Sequence, residues 1–163
     1  MANEYQEKMT EIINTAIVKT LGDYIGDNSY YQTERFKKRF DGKKNRNDLY
    51  VHLESQDGCT RDICIEIKNN VADLHSGFGM GFNEDYNFLA FAVGHTANGP
   101  IRMHHLDELD DRIGILAVFP NGTVVCVRSA KPVSCRNPGL ADFFRMDIGL
   151  TPDEYVRQLI ELY

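Results

Sequence analysis

Two short runs of alternating apolar residues, joined through the turn-like Gln56-Asp57-Gly58, constrain this chain more than any other stretch. Leu49, Val51 and Leu53 alternate with polar residues, and so do Ile63, Ile65 and Ile67. Such alternation marks a strand with one face in the core. Two strands of this kind share that face when they pair as an antiparallel hairpin. The simplest register pairs Leu49 with Ile67, Val51 with Ile65 and Leu53 with Ile63. It sets Asp48 opposite Lys68 and diagonal to Glu66, and registers shifted by two keep the same faces and neighbourhood. Opposed side chains stand about 5 Å apart and diagonal ones about 7–8 Å. Asp48, Glu66 and Lys68 are therefore expected to meet at the open end of the hairpin, on its polar face.

Two carboxylates and an ammonium at that spacing can do specific work. Carboxylate oxygens hold a hard divalent cation. Such a cation polarises a phosphate oxygen and makes a water more acidic. A neighbouring amine positions that water or stabilises charge developing on phosphorus.

At Asp48 and at Glu66-Ile67-Lys68 the chain resembles the PD-(D/E)xK nuclease superfamily, in which an Asp begins one strand and a Glu-x-Lys ends the next, before a helix and further strands. The resemblance spans residues 5–119 as an order of elements, with Asn47 where the family often has Pro. It implies that Asp48 and Glu66 are Mg²⁺ (or Mn²⁺) ligands and that Lys68 is the catalytic lysine. It also implies a restriction-endonuclease-like core, DNA as substrate and, as in many such nucleases, a homodimer. The family often adds a Glu from its first helix. Glu4, Glu7 and Glu11 are the available acids, but they project away from the apolar stripe and read as solvated. The Gly-rich loop and Asp85-Tyr86-Asn87 resemble small phage-type members. Against all this stands an ordinary alternative: Glu-Ile-Lys on the wet face of an amphipathic strand, with a cross-strand Asp–Lys pair, is common surface electrostatics.

Charge distribution sharpens the expectation. The chain of 163 residues carries a net charge of −6. Residues 35–46, RFKKRFDGKKNR, hold Arg35, Lys37, Lys38, Arg39, Lys43, Lys44 and Arg46 against the single acid Asp41, a local +6 that leaves −12 on the rest. A basic stripe on an acidic body is an electrostatic footprint for a nucleic-acid backbone, or else a solvated charged segment. Here it ends two residues before Asp48. No apolar run is long enough to cross a membrane, and MANEYQEK is not a signal peptide. Cys59, Cys64, Cys126 and Cys135 are scattered, with no Cys-x-x-Cys. That usage fits free thiols in the cytoplasm and excludes a zinc ribbon.

Along the chain, Tyr5, Met9, Ile12, Ile13, Ala16, Ile17 and Leu21 mark a helix over 5–21 that ends near Gly22. Residues 29–40 fit a strand or a short helix, with Phe36 and Phe40 as core anchors or as aromatic rings among cations. Gly77, Gly79 and Gly81 form a tight loop of the wrong spacing for a dinucleotide site, with Asp73 and His75 near enough to support a metal ligand. FLAFAV, 88–93, reads as a buried central strand. Residues 101–111 read as a helix with an acidic end unfavourable to its dipole. IGILAVF and TVVCVR flank Asn121-Gly122, a hairpin signal. Thr151, Pro152 and Glu154 cap a last helix.

The expected fold is one domain over 1–163: an α/β, three-layer-like sandwich with a central mixed β-sheet flanked by helices. The expected function is a metal-dependent nuclease acting on DNA. The alternatives are a catalytically weak or inactive nuclease-fold protein that binds nucleic acid or a protein partner, and an α/β domain of unrelated function.

Overall fold

A computed structural model of the chain describes residues 4–38, 44–55, 60–75, 84–94, 99–133 and 146–151, together with 153 and 157; of 34–38, 44–47 and 75 it describes the backbone alone. Helix α1, Glu4–Leu21, opens the chain. Strands β1 (Tyr30–Lys38), β2 (Lys44–Glu54) and β3 (Thr60–Lys68) follow, then the short helix α2 (Val71–His75) and strand β4 (Tyr86–Ala92). A 3₁₀ turn, Met103–Leu106, precedes β5 (Gly114–Val118) and β6 (Val124–Arg128).

The six strands form one mixed sheet in the order β1-β2-β3-β4-β5-β6. β1, β2 and β3 are an antiparallel meander. β3, β4 and β5 run parallel, and β6 turns back antiparallel. Parallel neighbours need crossover connections. The first of these contains α2 and the second contains the irregular segment 99–113.

Both faces of the central strands are dry. On one face Leu49, Val51, Leu53, Ile63, Ile65, Ile67, Phe88 and Leu116 pack under α1, which contributes Met9, Ile13 and Ile17. On the other, Leu89, Phe91, Ile115 and Ala117 pack against Leu74 of α2 and against Ile101, Met103, Leu106, Leu109 and Ile113. Among the described residues a long helix covers only the first face.

The helix expected over 101–111 is a single 3₁₀ turn. Asp107, Glu108, Asp110 and Asp111 fall where a longer helix would place its negative dipole end, and that repulsion accounts for the early stop. The expected Asn121-Gly122 hairpin is present, with Gly122 at φ 86°. The open side of β6 is met by residues 146–150: Leu150 N–H donates to Val124 C=O at 2.9 Å, and Cys126 N–H donates to Leu150 C=O at 3.0 Å. Gly149 makes that approach possible, since a Cβ there would fall 2.2 Å from the Val124 oxygen. Among the described residues β1 has no such cover on its outer side. The expected C-terminal helix lies outside the described residues, apart from Thr151, Asp153 and Arg157. No described helix is long and apolar enough to cross a membrane.

Candidate active site

The hairpin register differs by two residues from the simplest expectation. Leu49 pairs with Ile65, Val51 with Ile63 and Leu53 with Arg61. β2 ends at Glu54 and β3 begins at Thr60, so the connection is longer than a tight turn and the strands slide accordingly. Continued one step, this register sets Asp48 in line with Glu66, with Lys68 on the diagonal. Opposed positions in an antiparallel pair place Cβ atoms about 5 Å apart.

Asp48 is held at this end by its own side chain. Its Oδ2 accepts the Ile67 N–H at 2.8 Å, and its Oδ1 accepts from Gln6 Nε2 at 3.3 Å. The first contact locks the carboxylate to the peptide between Glu66 and Lys68. The second ties it to the first turn of α1. Both contacts orient the carboxylate, and a carboxylate oxygen is a hard donor of the kind a divalent cation takes.

Asp48, Glu66 and Lys68 are 8%, 9% and 8% exposed. This corrects the expectation of a wet strand face. β3 lies between β2 and β4 with both faces covered, so Glu66 and Lys68 stand in the interior, with the Cys64 thiol 3.9 Å from Glu66 Oε1. Charged side chains are almost never this buried unless paired, and burial costs several kcal/mol per ion. Surface decoration does not describe these residues.

Tyr5 braces the same strand ends. Its hydroxyl donates to Lys68 C=O at 3.1 Å and accepts from Ala92 N–H at 3.2 Å, joining the last turns of β3 and β4 under α1. Burial pushes the phenol up to about 12, the Ala92 N–H opposes that shift, and the Asp73 charge adds to it. Asp73 accepts the Asn69 N–H at 2.8 Å, and its own N–H donates to Asn70 Oδ1 at 2.8 Å. These two contacts, to Asn69 and to Asn70, start α2 immediately after Lys68 and fix where β3 stops. Asn69 Oδ1 is buried with no hydrogen-bond partner among the described residues, a second local cost at this strand end.

Gln6 and Tyr5 escape a reading that looks for acids on α1. Glu4, Glu7 and Glu11 are exposed, as expected. The signal for Gln6 lies in the helix itself: Gln6, Met9, Thr10, Ile13 and Ile17 follow i, i+3, i+4, i+7, i+11 spacing, so Gln6 occupies the middle of the buried stripe.

The basic segment adjoins the site in backbone terms. Arg35, Lys37 and Lys38 are in β1, and Lys44 and Arg46 are in β2, with Lys38 paired to Lys44 and Phe36 to Arg46. Among the described residues, Lys44 to Asn47 of β2 pair with β1 and not with β3. The site thus stands at the foot of a two-stranded basic arm. Arg39, Lys43 and Phe40 lie outside the described residues, as do Gly77, Gly79, Gly81 and the His75 side chain. Cys64 and Cys126 are free and buried, and Cys59 and Cys135 are not among the described residues.

Comparison with protein-family models, with curated proteins and with solved structures finds no match to this chain.

Proposed function

We propose that this chain is a metal-dependent phosphodiester hydrolase, a nuclease acting on DNA, with a restriction-endonuclease-like core. One observation supports the reading: the β2–β3 register, continued one step, sets Asp48 in line with Glu66 beside Lys68, and all three are less than a tenth exposed. Apolar residues would serve the fold better, so the cost argues for chemistry. The element order supports it, with Asp48 within β2, Glu66-Ile67-Lys68 ending β3, then a short helix and a parallel strand.

The donor set fits a hard cation, because Asp48 and Glu66 offer carboxylate oxygens; among the described residues the Cys64 thiol beside Glu66 is the one soft group near them. A bound Mg²⁺ or Mn²⁺ would supply Lewis-acid polarisation of the phosphate and a more acidic water. Ile67 N–H and Gln6 orient Asp48. Lys68 positions the attacking water and offsets charge building on phosphorus, which a low-dielectric surrounding strengthens. Water attacks phosphorus, the bond to the leaving strand oxygen breaks, and that oxygen leaves protonated. The basic β1–β2 arm tracks the phosphate backbone.

A second reading has its own support: a catalytically weak or inactive protein of the same fold that binds nucleic acid or a protein partner. The α1 side chain that reaches Asp48 is an amide and not a third acid, and the site is nearly closed. Cleavage assays separate the two. The nuclease reading expects Mg²⁺- or Mn²⁺-dependent cleavage of single- or double-stranded DNA, lost on chelation and in Glu66→Gln and Lys68→Ala. Binding with a steep salt dependence and no cleavage supports the second reading. Cleavage that survives both substitutions contradicts the assignment of the site.

A further inference from the structure

On the sheet face that carries Asp48 and Glu66, a row of rings stands farther along the meander. Tyr30 is the first residue of edge strand β1 and lies opposite His52, which lies opposite Asp62. Directly opposed residues share a face, and in β2 the even positions 48, 50, 52 and 54 share it too. The Tyr30 and His52 rings are stacked, with centroids 5.1 Å apart and planes 27° apart. Tyr50 tilts against Tyr30 at 6.2 Å. Tyr30 remains 49% exposed, on the one sheet edge without cover among the described residues.

His52 is a fixed support. Its Nδ1 lies 2.6 Å from Asp62 Oδ1 and its Nε2 lies 3.6 Å from Glu54 Oε2. The Nδ1 contact with Asp62 restrains the imidazole, which is itself half-buried, so the tyrosine stacked on it has a fixed backing. That arrangement suits a flat, uncharged ligand. Glu54 and Asp62 beside it repel a phosphate, so the platform recognises a base and leaves the sugar–phosphate chain to the basic arm beyond Asp48.

We infer that Tyr30, backed by His52, is a stacking platform for one unpaired nucleobase of the strand held at Asp48 and Glu66. The inference rests on the nuclease reading and adds a preference for single-stranded substrate to it. His52 lies four steps along β2 from Asp48, a distance of about 13 Å. At a stacked rise of about 3.4 Å per nucleotide that reaches about four nucleotides from the scissile phosphate.

The test is binding of a single-stranded oligodeoxynucleotide carrying 2-aminopurine at successive positions, with the metal chelated so that nothing is cut. Wild-type protein is expected to bind and to quench the fluorophore most strongly at one position. Tyr30→Phe, which keeps the ring, is expected to bind within about two-fold of wild type. Tyr30→Leu, which keeps apolar area without the ring, is expected to lose about ten-fold or more, in the range found when a base-stacking aromatic is removed. A duplex of the same sequence, its bases already stacked, is expected to lose nothing. Wild-type binding that Tyr30→Leu leaves unchanged, or weakens equally on duplex, overturns the platform and leaves the nuclease reading standing. Absence of wild-type binding to any oligonucleotide at low salt overturns both.

Discussion

The carboxylate of Asp48 accepts the Ile67 N–H at 2.8 Å, binding the start of one strand segment to the peptide that separates Glu66 from Lys68. Asp48→Ala leaves that buried N–H without a partner and is expected to cost about 1–3 kcal/mol. Asp48→Asn keeps an acceptor and is expected to recover most of the loss. Urea denaturation with an unchanged m-value checks both.

Glu66 and Lys68 are expected to behave as a functional site and not as a stabilising pair. Replacing one partner of a buried charged group leaves the other uncompensated, whereas replacing both by uncharged residues of similar size is often neutral or stabilising. Glu66→Gln combined with Lys68→Met is therefore expected to fold, to melt at or above the wild-type temperature, and to lose cleavage. A loss of several degrees in the double variant, measured by calorimetry, would assign the two residues a structural role.

Gln6 marks the position from which α1 can add a third acid. Its Nε2 lies 3.3 Å from Asp48 Oδ1, so Gln6→Glu brings a like charge to Asp48. Without metal the variant is expected to be less stable than wild type at neutral pH. With saturating Mg²⁺ its melting temperature is expected to rise by more than that of wild type, because ligand binding to the folded state adds to stability. Thermal shifts with and without Mg²⁺ measure the difference.

Alkaline pH is expected to erode stability through Cys126 and Tyr5. Burial pushes the Cys126 thiol from 9.0 up to about 12, and burial likewise pushes the Tyr5 phenol from 10.0 up to about 12. In each case the folded chain holds the proton more tightly than the unfolded chain. Their contribution is intact below the unfolded values and is lost as pH climbs from about 9 toward 12. Melting temperature should fall across that window, and the fall should be shallower in Tyr5→Phe. The same burial predicts that the Cys126 thiol resists alkylation at pH 8 until the protein unfolds.

The sheet was legible where periodicity was strong. The hairpin of β2 and β3, the apolar run that became β4 and the Asn121-Gly122 turn all announced themselves through alternation, length and turn chemistry. Residues 30–38 did not, because YYQTERFKK carries no clean period of two; pairing with β2 makes them a strand. The short turn at 103–106 was missed because apolar spacing favours a helix that its acidic tail then limits.

At the candidate site the residue types were legible and their environment was not. Alternation placed Glu66 and Lys68 on the polar face of β3. It could not show that Leu89 and Phe91, paired beside them on β4, continue a second core over that face and withdraw both charges from water. Gln6 was hidden because it is neutral and sits among apolar neighbours, and its meaning appears only once Asp48 is seen at its end. The Tyr30–His52 stack depends on cross-strand register, which no local pattern reports.

Titration of the metal-free protein with Mn²⁺, followed by calorimetry, tests the central claim most directly. Saturable binding by the wild-type chain is expected, weakened ten-fold or more by Glu66→Gln and by Asp48→Asn in protein that remains folded. A wild-type chain that takes up no Mn²⁺, or one whose affinity is untouched by both substitutions, contradicts it.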